Sequence, residues 1–177
     1  MLRNILFVLF LTYISAPGQK PVEQDESMLV YETIIDANVD DVWKAFTTRE
    51  GLESWMAPKV EIDLAIGGKI KSNYNPEGEI DDASTIENTI LSYDPKRMLS
   101  MKATRFPEGF PFIEAAKKTW SVFYFSEISP AKTKLVLVGL GYSDDNQSKK
   151  MKEFFAIGNA ELIEKLRASL EGRQRID

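Results

Sequence analysis

Carboxylates are the groups in this sequence best supplied to move protons. Glu61 and Asp63 stand two apart in "KVEIDLAI", and Glu87 and Glu127 interrupt runs that otherwise read as strands. Acids two residues apart share one face of a strand, and paired carboxyls can divide acid and base roles between them. A solvated sheet face explains the same residues without chemistry, so no residue is assigned a catalytic role. Tyr74, Tyr93 and Tyr124 offer hydroxyl donors, with no spacing that selects one. The chain has neither histidine nor cysteine. The near-neutral imidazole shuttle is therefore missing, disulfides are excluded, and the usual zinc sites cannot be assembled. The acidic runs "IDDAS" and "YSDDNQS" do not follow the calcium-loop pattern and read as turn and cap residues. No metal and no cofactor is expected.

Apolar recognition is the other chemistry on offer. Trp55, Met56, Phe106, Phe110 and Phe112 are large groups near the ends of elements, and "RFPEGFPF" is too rich in proline and glycine for regular structure. They line or close a cavity mouth on one reading, and plug the edge of a core on the other. Tyr74, Met101, Trp120 and Phe155 join them as candidate ligand-binding residues. Met98, Met101 and Met151 are adaptable fillers. Gly158 falls on the apolar stripe of a helix, where glycine costs roughly 1 kcal/mol relative to alanine. That cost implies a need for space, either to pack helix on sheet or to admit a ligand. Asn159 adds an amide donor and acceptor beside it.

The elements that position these residues follow from local pattern. "MLVYETIID" from Met28 is rich in β-formers and predicts a first strand. Asn38 caps "VDDVWKAF", where Asp40 and Asp41 suit the positive end of a helix. A second short helix, "REGLESWM", brings Leu52 to the side of Trp55 or Met56. From Lys59 to Tyr142 six strand-like runs alternate with turn signals at Gly67-Gly68, Asn75-Pro76, Asp94-Pro95 and Ser129-Pro130, which predicts an antiparallel meander. In "TWSVFYFSEI" both faces carry aromatic groups, so one must be covered. The cover is the last segment, where Met151, Phe155, Gly158, Leu162, Leu166 and Leu170 recur at helical steps, Ser143, Asp144 or Asp145 caps the start and Gly172 closes the end.

The chain has 177 residues, 44% of them hydrophobic, with a formal charge of -5. These values describe one folded domain. No basic run offers a track for phosphates, which argues against nucleic acid. Arg3 precedes an apolar run from Ile5 to Ile14 and then Ala16-Pro17-Gly18. That is the order of a secretory signal, shorter than the ~20 residues of a membrane span. The division predicted is a signal peptide at 1–18, a linker at 19–27, a domain at 28–172 and a polar tail at 173–177. Cleavage before Gln19 would leave an exported, periplasmic or secreted protein with no membrane span; an uncut anchor or a buried strand is the alternative. Asn146-Gln147-Ser148 could accept a glycan only in a eukaryotic secretory route.

"VWKAFTTREGLESWMAP" (Val42 to Pro58), followed by "DLAIGG" (Asp63 to Gly68), resembles the signature of the activator of heat-shock protein 90 ATPase homologue family, within the START-like or SRPBCC superfamily. "DPKRML" and "GNAELIEKL" are similar to its later motifs. The resemblance covers roughly Met28 to Gly172. It implies an α+β helix-grip fold: a curved antiparallel sheet of about six or seven strands wrapped around a long C-terminal helix, with a cavity between them. Two positions depart from the pattern, since paired tryptophans become Trp55-Met56 and a tryptophan after the helix glycine becomes Asn159. Both exchanges remove bulk. Relatives of this kind bind hydrophobic small molecules, assist a chaperone or act as cyclases. The leading expectation is a domain binding a hydrophobic or amphipathic small molecule. The alternatives are a protein-interaction module resembling the chaperone activators, and a cofactor-free cyclase- or hydrolase-like enzyme using carboxylates.

Overall fold

Every second side chain from Thr133 to Gly139 is buried while its neighbours are half-buried, the period-two mark of a strand with one face on a core. The computed structural model describes residues 26–172. Its elements are β1 (Met28–Ile35), α1 (Val39–Thr47), α2 (Arg49–Glu53), β2 (Lys59–Ile62), β3 (Lys69–Asn73), β4 (Ile86–Asp94), β5 (Met98–Arg105), α3 (Ile113–Ala116), β6 (Trp120–Ser129), β7 (Lys132–Leu140) and α4 (Asn146–Glu171). The strands form a seven-stranded sheet in the order β1-β7-β6-β5-β4-β3-β2. All neighbouring pairs are antiparallel. Strands β2 to β7 are thus a meander, and β1 crosses to close the far edge against β7. Register shifts in β4 and β6 bend the sheet, because an extra residue on one strand sharpens its local twist. The result is the expected helix-grip arrangement, with α4 on the concave face. The expected signal peptide, most of the linker and the polar tail lie outside the described residues.

Local chemistry accounts for the two short helices. Asn38 Oδ1 accepts from the Asp41 N–H at 2.8 Å, a cap that contributes about 1 kcal/mol. Thr48 serves both helices: its hydroxyl donates to Lys44 O at 2.9 Å and accepts from the Gly51 N–H at 3.0 Å. A Cβ on Gly51 would sit 2.2 Å from Lys44 O, so only glycine lets α2 turn back this tightly. The inner faces of α1 and α2 put Val42, Phe46 and Leu52 into the core with Ile35, Leu99, Phe125 and Leu135. Phe46 meets Phe125 edge-on with ring centroids 5.2 Å apart.

Two local expectations differ from the structure. The strand read over 59–66 ends at Ile62, because Asp63 begins a tight loop in which its N–H donates to Lys69 O at 2.8 Å. Gly67 has φ +81, and a Cβ on Gly68 would approach Asp63 O to 2.2 Å. The loop then docks on β4: Gly67 N–H donates to Ile90 O and Ile90 N–H to Gly68 O. Residues 113–116, ahead of β6, form α3, which buries Ala115 and Ala116. Four residues cannot sustain a helix alone; packing against Tyr142 and Met151 holds it.

Candidate ligand cavity

Helix α4 is fastened at its two ends and along one flank. Asp145 caps it, accepting from the Ser148 N–H at 2.9 Å. The Ser143 hydroxyl beside it, with that N–H, holds the Asp145 carboxyl below the usual range. Near the start, Met151 packs with Ala115, Ala116 and Tyr142. Near the end, Leu166 and Leu170 are buried with Ile35 and Ala37, and the Ser169 hydroxyl donates to that of Ser54 at 2.8 Å. The Tyr31 hydroxyl donates to Ala156 O on the β1 flank. Between these fastenings Phe155, Gly158, Asn159, Leu162 and Ile163 are only half-buried. The backbone of α4 comes nearest to β1, α1 and α3. Over the middle strands it stands off.

The gap is a cavity of about 160 Å³. Its floor is Ile70 of β3, Asn88 of β4, Met101 of β5, Ser121 and Phe123 of β6, and Leu135 and Leu137 of β7. One wall is Phe46, Leu52, Trp55 and Met56; the roof is Asn159, Leu162, Ile163 and Leu166. The Trp55 indole N–H donates to Ala45 O at 2.9 Å, which fixes the ring 5.0 Å from that of Phe46. Its polar edge is thus satisfied, leaving an apolar face to the cavity. A space of ~150 Å³ admits benzene, whereas drug-sized ligands need ~300–1,000 Å³. The space therefore suits one ring or a short chain.

Of the residues singled out from the sequence, the structure brings Trp55, Met56, Met101 and Asn159 together in this lining. Phe106, Phe110, Phe112 and Phe155 form a separate aromatic clasp with Phe154. Phe106 stacks on Phe110 at 5.5 Å, and Phe112 lies 5.8 Å from Phe154. The clasp holds the loop after β5 against the first half of α4. Trp120 lies on the outer face of the sheet, 38% exposed, because strand alternation gives the inner face to Ser121 and Phe123. Tyr74 follows the end of β3 and is 47% exposed. A Cβ on Gly158 would meet no described residue within 4 Å, which removes close packing of α4 on the sheet as the reason for that glycine. Sequence reasoning did not select Asn88 and Ser121. Their parity with buried Ile90 and Phe125 was the available signal.

None of the carboxylates considered for acid–base work lines the cavity. Glu87 is on the outer face, with Lys69 Nζ at 2.6 Å and the Thr104 hydroxyl donating at 2.9 Å. Lys69 is the main reason its carboxyl is held below the usual range. Glu61, Asp63 and Glu127 are exposed. Tyr93 packs its ring 6.5 Å from that of Trp43, and Tyr124 is 46% exposed. Among the described residues, no cluster of acidic side chains could hold a metal ion.

A helix laid across a seven-stranded antiparallel sheet, with two short helices after the first strand, is an arrangement other proteins share. The family model described as "Activator of Hsp90 ATPase homolog 1-like protein" matches residues 36–171. The chain belongs to this family. Solved structures agree in fold. A protein from Mesorhizobium loti superposes with TM-score 0.64 at 19% identity, covering 81% of this chain and 96% of that one. A protein from Arthrobacter aurescens gives 0.66 at 18%, covering 83% and 87%. The Aha1 dimer from Colwellia psychrerythraea gives 0.60 at 15%, covering 81% and 96%. No curated protein sequence matches. Membership of the Activator of Hsp90 ATPase homolog 1-like family fixes a START-like architecture for a binding or interaction domain. The use made of the cavity belongs to this chain's own side chains.

Proposed function

We propose that this chain is an exported START-like binding protein that holds one small hydrophobic or amphipathic molecule between its sheet and α4. The cavity carries the proposal. It is about 160 Å³ in volume and is walled mainly by Phe, Leu, Ile, Met and Trp side chains. Its roof is the half-buried middle of α4. Burying apolar ligand surface there yields roughly 25 cal/mol per Å². The methyl groups of Met56 and Met101 report on the site, while Met98 and Met151 lie outside the lining. Titration with toluene or indole, followed by methionine-methyl NMR, should move the first pair saturably and leave the second in place. Leu162→Trp, which puts an indole into the roof, should abolish the shifts. Unmoved Met56 and Met101 signals with every probe would remove the proposal.

Export rests on Arg3, the apolar run Ile5 to Ile14 and the small residues Ala16-Pro17-Gly18. Mass spectrometry of the protein from its native source should find a chain beginning at Gln19. An intact Met1 in a cytosolic fraction would refute export without touching the cavity.

A further inference from the structure

Three polar side chains interrupt the apolar lining: Asn88 of β4, Ser121 of β6 and Asn159 of α4. None of them makes a side-chain hydrogen bond to another described residue. No fully buried side-chain nitrogen or oxygen among the described residues lacks a partner. These amides and this hydroxyl therefore open onto accessible space rather than being sealed in the core. An unsatisfied polar group in an apolar wall discriminates strongly, because a ligand that cannot complete its hydrogen bonds leaves it stranded.

The three groups lie toward one end of the cavity. Met101 pairs with Ile90 on one side and Ser121 on the other, and Asn88 stands two residues before Ile90 on the same face. Asn159 is the lining residue of α4 nearest the start of that helix. Toward the helix end the wall is Phe46, Leu52, Leu135 and Leu166, with no polar side chain. Among the described residues, none in the lining is ionisable. A carboxylate or ammonium there would shed its water with no counter-charge to replace it. Carboxamides, by contrast, offer both a donor and an acceptor.

We infer that the cavity selects a neutral molecule of about one ring, apolar at one end and bearing a hydroxyl, carbonyl or amide group at the other, and that Asn88, Ser121 and Asn159 read the polar end. The inference rests on the cavity being a ligand site. Dissociation constants for toluene, 4-methylphenol and 4-methylbenzoate separate the two ideas, since the probes share a ring and a methyl group. The phenol should bind about tenfold tighter than toluene, the scale of one good hydrogen bond, and at least tenfold tighter than the benzoate. Asn159→Leu and Asn88→Leu should each erase the phenol's advantage while keeping toluene binding, which also shows that the variants fold. Toluene binding the native chain as tightly as the phenol would overturn the polar reading and leave the cavity proposal standing. Preference for the benzoate would overturn the neutrality of the ligand, and binding of none of the three would overturn both ideas.

Discussion

Replacing Gly158 by alanine should make the protein more stable. Within a helix, glycine is less favourable than alanine by ~0.8–1.0 kcal/mol, because it surrenders more backbone freedom on folding. A new side chain repays this only if it fits. At Gly158 a Cβ would find no described residue within 4 Å, so no packing strain from them opposes the propensity gain. The expected change is about +1 kcal/mol, which in a domain of this size raises Tm by about 2–4 °C. Gly68→Ala is the matched opposite, since its Cβ would lie 2.2 Å from Asp63 O, and it should destabilise the fold. Equilibrium urea denaturation read by tryptophan fluorescence measures both, and an unchanged m-value would confirm that stability alone has moved. A lower midpoint for Gly158→Ala would show that α4 lies tightly on the sheet, and the account of a gap beneath its middle would fail.

Other outcomes follow from the same geometry. Leu166 is fully buried and forms part of the cavity roof, so Leu166→Ala should cost about 3–5 kcal/mol in denaturation experiments and enlarge the space available to a probe. Burial pushes the Tyr142 hydroxyl up to about 12, above its value of ~10 in an unfolded chain. The folded state therefore keeps a proton that the unfolded state loses, and stability falls as pH rises from ~10 to ~12. Tyr142→Phe should diminish that fall, and absorbance titration should lose one late-ionising phenol. Carboxyls of Glu87, Asp82 and Asp145 are held below their ordinary values by Lys69, by the Ser84 N–H and by the Ser143 hydroxyl respectively. Their contribution is complete above about pH 4.5 and is lost as pH falls through the lowered folded values. Denaturation midpoints should thus decline below that pH; a rise would contradict the sign.

Much of the architecture was legible because single residues fix local geometry. Asn38 stopped one element and began another, Gly67-Gly68 marked the loop between β2 and β3, and Asp145 was among three acceptable caps for α4. Parity was not readable in β6, since Trp120, Val122 and Tyr124 on one parity rival Phe123 and Phe125 on the other. Trp120 was therefore assigned to the cavity although it faces outward. The phenylalanines after β5 announced burial but not their partner, which is set by long-range contacts with Phe154 and Phe155. Helix α3 is invisible locally because tertiary packing makes it. Asn88 and Ser121 read as ordinary polar positions of half-exposed strands, and only the standing-off of α4 turns them toward an enclosed space.

The composition of the cavity wall has a consequence for where the protein can work. Among the described residues, all fifteen lining side chains keep the same charge, zero, at any pH compatible with folding. A guest without titratable groups would therefore meet a wall whose charge acid and base do not alter. Added salt screens the exposed ion pairs of the shell, such as Lys132 with Asp36 and Lys134 with Glu32, and leaves the interior untouched. The buried phenol that does titrate, Tyr142, belongs to the cluster under α3 and not to the cavity lining. A cavity built this way would keep the same preference among guests wherever the fold itself holds, because pH and salt reach it only through the stability of the surrounding shell.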